Sequence, residues 1–394
     1  MSHKPAEEAN ETAAPAPESL IQEIPGGGVL TLRGTPREIG RTRGELFGAD
    51  IQQRYETRVI EPVEAGRWQP QSGMMQYIPP FLETRALALP VLGMGSRSLL
   101  QGLSLDIIRE MEGMAEGARL PFDAFWLLQH APLYDAIEDK TVLFSAPLCT
   151  MFAVVGERAG SAGLLIGRNL DWILDEENII TRIFPETGNP FIQAGFTWNE
   201  GAYTAMNDDG LVLCVQRLEA AKASRPEKAP IEFVIRDIIQ TAKSYEEALE
   251  RLRQSKYISG VNVLIAGFSN DKPRAAVVEF GKTIAVREPE NGLLLGMLTD
   301  SPVITDSEQN RYSAVAAYLA EMPVITLDAM KSALSMEAGK DSEATALGSV
   351  WNDNTKHSVV FLPKSDELYI AFPSVNGGPG DYVKIPLSGE ISHE

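Results

Sequence analysis

The hydrophobic pattern of this chain changes period near Thr141, and no other feature limits its fold as strongly. Upstream, apolar residues recur at helical spacing. From Gly26, GGGVLTLRG reads as a strand and turn. A helix follows with Ile39, Leu46 and Ile51 on one side, Pro36 in its first turn and Thr35 as N-cap. In SLDIIREMEGMAEGARL, Ile107, Met111 and Met114 line one face with Ile108 alongside, behind Ser104 as cap. PFDAFWLLQHAPLYDAI predicts a further helix, buried at Phe125, Leu128 and Tyr134. Downstream, short apolar runs (TMFAVVG, GLLIGRN, NIITRIFPE, GFTWNEGAYTAMNDDGLVLCVQRL) are punctuated by Gly, Asn and Asp, the signature of hairpins. PIEFVIRDIIQTAKSYEEALERLRQ then gives two helical segments. VNVLIAGFSNDKPRAAVVEF gives a hairpin joined by SNDKP, GLLLGMLTD a buried strand, DAMKSALSMEA a helix, and SVVFLP with ELYIAFP a last hairpin. Helices, strands, two helices and strands again suit an α+β sandwich whose sheets pack face to face between helical layers. No internal repeat is present. Residues 1–20, rich in Ala, Pro and Glu, predict a disordered tail.

A net charge of -19 over 394 residues repels phosphate backbones and anionic membrane surfaces, so neither nucleic acid nor membrane is an expected partner. No apolar run reaches the length of a membrane span. The N-terminal stretch lacks a basic region followed by an apolar core, and the expected setting is cytoplasmic. Two cysteines make neither a disulfide framework nor a zinc site, and four histidines show no metal-ligand spacing, so no cofactor is expected.

The residues that carry chemistry lie in LCTMFAVVGERAGSAGLLIGRNLDW, Leu148 to Trp172. A free cysteine in a strand is commonly core packing, and Cys214, inside LVLCVQ, fits that description. Cys149 has different company. A hairpin between TMFAVV and GLLIGRN brings the head of the first strand beside the end of the second, and so sets Cys149 near Arg168, Asn169 and Asp171. Side chains alternate along a strand, so Asn169 and Asp171 point one way and Arg168 the other. A thiolate needs a cationic or hydrogen-bonding neighbour at neutral pH, which Arg168 can supply. Asp171 can hold Arg168 or orient an amine.

With these residues in view, CTMFAVV followed by GRNLDW resembles the head of the cysteine N-terminal nucleophile (Ntn) hydrolases, among them bile-salt hydrolases and acid ceramidase. RGTPREIGRTRGELFG and MEGMAEGARLPFDAFWLLQ ahead of CT are similar to the isopenicillin-N acyltransferase type (peptidase family C45), from about Leu30 to Phe372. The resemblance implies a four-layer αββα Ntn sandwich: a mostly helical pro-segment over 21–148 and a catalytic region over 149–394. It implies self-cleavage at Leu148–Cys149, after which the α-amine of Cys149 is the general base and no histidine is required. The expected activity is cleavage of a linear, non-peptide C–N amide in a small-molecule acyl substrate through an acyl-enzyme on Cys149. Acyl transfer to an amine and a catalytically silent homologue are the alternatives, and a homo-oligomer is compatible with the fold. Arg311, in the stretch GMLTDSPVITDSEQNRYSAV, matches an arginine that supports the cysteine in relatives. Asp300 stands where relatives have Asn. It is protonated, or orients the Cys149 amine, or leaves the oxyanion to another donor, unless it is simply a turn residue. Relatives place an oxyanion Asn beyond the equivalent of Gly210, where this chain has Gln216 and Arg217; Asn207 reads as a turn residue. Asn169, Trp172, Gln216 and Arg217 are the expected substrate contacts. Trp172 and Trp198 line an acyl pocket or pack in the core, and His357 is either a site residue or strand packing.

Overall fold

The computed structural model describes residues 20–64, 97–129, 149–172, 176–217, 230–255, 261–280, 283–296, 306–337 and 349–391. The N-terminal part opens with a hairpin, β1 (Ile21–Ile24) and β2 (Gly27–Gly34), and continues into α1 (Pro36–Leu46) and α2 (Gly48–Tyr55). Thr35 caps α1 in a complete capping box with Glu38, and Pro36 occupies its first turn. The single helix expected here is two, because the backbone of Phe47 leaves helical geometry (φ -110°, ψ 17°). After α3 (Leu105–Gly117), capped by Ser104 as expected, residues 122–129 are helical and bury Phe125 and Leu128.

From Cys149 the chain becomes mainly strand. β3 (Thr150–Val155), β4 (Leu164–Asp171), β5 (Asn178–Pro185), β6 (Phe191–Phe196), β7 (Thr204–Asn207) and β8 (Val212–Arg217) lead to α4 (Ile231–Thr241) and α5 (Tyr245–Gln254). β9 (Val261–Ser269), β10 (Lys272–Phe280), β11 (Ile284–Arg287) and β12 (Leu293–Leu295) precede α6 (Asp306–Ala320) and α7 (Leu327–Leu334). β13 (Thr355–Leu362), β14 (Glu367–Ala371) and β15 (Val383–Pro386) close the described chain. The β9–β10 turn is tighter than expected. Asn270 and Asp271 alone turn the chain, both at positive φ, as a two-residue hairpin turn requires.

Among the described residues the strands form two sheets, one ordered β1-β2-β5-β6-β7-β8-β9-β10-β11 and the other β12-β3-β4-β13-β14-β15. All their pairings are antiparallel except β2–β5. Period-two alternation sorts their side chains into three apolar layers. Met206, Val212, Cys214 and Leu264 of the large sheet meet Met151, Ile166, Val359 and Phe361 of the small one between the sheets. Leu213, Val215, Val263 and Ile265 face outward onto Ile39, Met111, Met114, Phe233 and Ile238. Phe152, Val154, Leu165 and Val360 face outward onto Val315, Leu319, Met330 and Leu334 of α6 and α7. The result is a four-layer αββα sandwich, the expected class.

The N-terminal part is built into this sandwich. Its β2 pairs in parallel with β5, Leu30 opposite Thr181. α1 and α3 meet backbone to backbone at glycines: a Cβ on Gly40 would lie 1.9 Å from Glu110 O, and one on Gly113 would lie 2.2 Å from Arg37 O. Around that contact Arg43 approaches Glu200 at 3.5 Å, and Arg236 approaches Glu110 at 2.7 Å and Glu200 at 3.7 Å, all buried. Burial and the neighbouring Glu110 hold the Glu200 carboxyl well above its ordinary range. The expected mostly helical segment upstream of Cys149 thus also contributes two strands to the large sheet.

Candidate active site

β3 and β4 form the expected hairpin, in which Thr150 pairs with Asn169 and Met151 with Arg168. Met151 points between the sheets, and so does Arg168 opposite it; Cys149, one residue ahead of β3, packs in one apolar cluster with Leu170, which shares Arg168's face of β4. Cys149 is buried and free. Arg168 is fully buried: Nη2 donates to Val215 O (2.7 Å) and Nε to Thr204 Oγ1 (3.4 Å). Its Nη1 has no hydrogen-bond partner among the described residues. A charged, unfilled donor thus lies on the same face as the thiol.

Asn169 and Asp171 face away from Cys149, as alternation requires. Asn169 Nδ2 donates to Leu334 O (2.8 Å) and Val350 O (2.9 Å), which ties the strand to the outer helical layer. Asp171 does not hold Arg168. It accepts from Arg311 Nη1 (3.1 Å), Asn352 Nδ2 (3.0 Å) and Thr355 Oγ1 (2.8 Å). Burial raises the Asp171 carboxyl above its ordinary range against the pull of Arg311, both neutral donors and Arg168.

Gln216 and Asn262 sit opposite each other on β8 and β9, both fully buried. Their alternation with Cys214 and Leu264 turns them toward the small sheet. Gln216 Oε1 accepts from Tyr312 Oη (3.0 Å), and its Nε2 lies 3.4 Å from Glu308 Oε1. Tyr312 Oη in turn accepts from Met151 N (3.3 Å). Asn262 Nδ2 donates to Gly296 O (2.8 Å), whose N donates to Met151 O (2.8 Å). The backbone of Met151 is therefore clamped on both sides, two residues beyond the thiol. Sequence reasoning missed Asn262 and Tyr312, although an Asn inside the apolar run VNVLIAG is a visible exception to the pattern.

Trp172 is half-buried against Phe196 (ring centroids 5.3 Å apart) and Tyr203 (6.0 Å). Trp198 is buried and donates from Nε1 to Glu176 (2.6 Å). Asn207 is the turn residue expected, accepting from the N–H groups of Asp209 and Leu211. Cys214 lies in the core within electrostatic reach of Arg168 and Cys149, and burial pushes its thiol up to about 12, which keeps it protonated. Leu148, Asp300, Tyr134, residues 1–19 and the side chain of Arg217 lie outside the described residues. Among those described, no group of three or more His, Cys, Asp or Glu could hold a metal ion, and no helix is long and apolar enough to cross a membrane.

The family model described as acyl-coenzyme A:6-aminopenicillanic acid acyl-transferase matches residues 158–376. That span is more than half the chain, includes Arg168, Asp171, Gln216 and Arg311, and begins after Cys149. Similar solved structures include a Caenorhabditis elegans ortholog of N-acylethanolamine-hydrolyzing acid amidase (18% identity, 55% of this chain and 93% of that one, TM-score 0.42). A mutant conjugated bile acid hydrolase from Clostridium perfringens matches at 14% identity, over 62% of this chain and 96% of that one (TM-score 0.43). Penicillin V acylase from Agrobacterium tumefaciens matches at 16% identity, over 57% and 83% (TM-score 0.41). No curated protein matches the sequence.

Proposed function

The chain belongs to the acyl-coenzyme A:6-aminopenicillanic acid acyl-transferase family, and from that premise we propose that it cleaves a linear, non-peptide amide through an acyl-enzyme on Cys149. The observation that carries this reading is a buried free thiol at the head of β3 together with a buried guanidinium on β4 that has an unfilled N–H, both within electrostatic reach of Cys214. In the proposed sequence, the chain first cuts itself at Leu148–Cys149, which frees the α-amine of Cys149. That amine takes the thiol proton as sulfur attacks the substrate carbonyl carbon. The carbonyl oxygen becomes an oxyanion, and Arg168 Nη1 is the donor for it. The amides of Gln216 and Asn262 are engaged elsewhere, with Glu308 and Gly296. The C–N bond then breaks, the α-ammonium returns its proton to the leaving amine, and a thioester remains on Cys149. Water adds to the thioester and releases the acid. An amine acceptor at that step gives acyl transfer.

Asp171 and Arg311 act from the other face of the sheet by fixing the end of β4 that presents Arg168. Asp300, from its place in the sequence, orients the Cys149 amine within this proposal. A cytoplasmic setting fits two free cysteines. The test is denaturing intact-mass analysis of the protein beside Cys149→Ala. Two chains for the wild type, the longer beginning at Cys149, and one for the variant are expected. A single chain for both would remove the α-amine base and leave a silent homologue on this fold. Substrate assays with acyl amides and competing amines then separate hydrolysis from transfer.

A further inference from the structure

His357, the imidazole of WNDNTKHSVVFLP, has no part in the mechanism above. It pairs with Leu170 on β4, and Val359 pairs with Arg168. On the other side of β4, Met151 pairs with Arg168 and Thr150 with Asn169, and that register continued by one residue sets Cys149 across from Leu170. Cys149, Leu170 and His357 therefore form one row across neighbouring strands. Val359, two residues on, points between the sheets, and so His357 faces the same space as Cys149. Two strand spacings, about 9.6 Å, separate the ends of the row.

The hydrogen bonds of the imidazole fix its tautomer. Asn178 Nδ2 donates to Glu176 O (3.2 Å), which turns its Oδ1 toward His357 Nδ1 at 3.3 Å. The proton is therefore on Nδ1, and Nε2 holds a lone pair. His357 is fully buried, and Nε2 has no hydrogen-bond partner among the described residues. Burial and Arg168 hold the ring neutral, with its pKa pushed down to about 3. A buried acceptor without a donor is an exception that calls for an explanation. Its position, in the row that begins at the thiol, points to a ligand. The donor it awaits is neutral, since Arg168 on the same face opposes a second cation.

We propose that His357 is a specificity residue whose Nε2 accepts a hydrogen bond from a hydroxyl on the acyl half of the substrate, so that the preferred substrates are amides of hydroxylated acids. This deepens the reading of Cys149 as the acyl acceptor and rests on it for the choice of ligand. The test reads binding, not turnover, so a failure of self-cleavage or of amide hydrolysis is recognised separately. Medium-chain carboxylic acids with a hydroxyl at the α, β or γ carbon, and their deoxy counterparts, are titrated calorimetrically into the protein and into His357→Phe and His357→Gln. The wild type is expected to favour one hydroxy acid over its deoxy partner on the order of tenfold, the worth of one neutral hydrogen bond. His357→Phe loses the preference while still binding the deoxy acid, and His357→Gln, which keeps an acceptor, retains part of it. Equal binding of the pair by the wild type, no binding of either, or a preference that survives in His357→Phe overturns the proposal.

Discussion

Gly40→Ala tests whether the N-terminal helices are part of the sandwich. The added Cβ would lie 1.9 Å from Glu110 O, 2.8 Å from Glu110 C and 3.0 Å from Met114 N, all backbone atoms that cannot swing aside. Ordinary contact begins near 3.4 Å, so α1 and α3 must part by about 1.5 Å along that line. Overpacking of this kind costs about 1–3 kcal/mol. Separation also moves Arg43 and Glu110, which hold the buried charge cluster with Glu200 and Arg236, and adds about 2 kcal/mol, part of the roughly 3–5 kcal/mol that breaking a buried pair costs. Against this, Ala in place of Gly inside a helix gains about 1 kcal/mol. The balance is a destabilisation of about 2–4 kcal/mol. It is read from the shift in urea midpoint, in a Cys149→Ala background, which under the proposed self-cleavage keeps the chain one covalent unit. Gly48→Ala is the control: its Cβ would meet Ala118 Cα at 3.4 Å and Gly117 O at 3.6 Å, ordinary contact, so stability should hold or rise by up to about 1 kcal/mol. An unchanged or raised midpoint in Gly40→Ala would refute the close-packed interface.

Two further outcomes follow from buried charge. His357 has a folded pKa of about 3 against an ordinary 6.5, so the unfolded chain binds a proton the folded one refuses, and stability falls as pH drops from about 6.5 toward 3. The raised carboxyls of Asp171 and Glu200 act in the opposite sense, and a direct comparison with His357→Gln removes them. The variant should gain on the wild type by about 1.4 kcal/mol per pH unit over that window, in urea titrations at stepped pH; a constant gap would show that the imidazole is solvated. Asp171→Asn leaves Arg311 buried without its counter-charge and sets an amide against three donors, for an expected loss of about 3–5 kcal/mol. Adding Arg311→Met should recover part of that loss in the same measurement, and no recovery would mean the pair is not the source.

The sequence disclosed what local physics controls. Caps at Thr35 and Ser104, the β3–β4 hairpin and the opposite facing of Arg168 and Asp171 all follow from spacing and alternation, and all stand in the structure. It did not disclose partners chosen by tertiary packing. Asp171 was legible as a polar residue near the thiol, yet its choice of Arg311 over Arg168 depends on α6, a helix whose residues lack a strong apolar stripe and which was not anticipated. Gln216 was expected to contact substrate. That it spans to Tyr312 requires knowing that the two sheets face each other at this point. β1, β11 and β15 are short and went unrecognised for the same reason: their strand character comes from the neighbour they pair with.

The parallel pairing of β2 with β5 also bears on the history of each molecule. Two strands of the large sheet come from upstream of Cys149, and their register is found while both belong to one chain. Should the chain then be cut before Cys149, unfolding turns into dissociation. Recovery becomes a meeting of two fragments, its rate falling with dilution and its success depending on a strand finding a parallel partner without a linker. A cut molecule that has been heated would not return on cooling as the uncut one does. Its endurance would be a lifetime set by the barrier to coming apart, and two samples of identical sequence would differ in heat tolerance according to whether they had been cut.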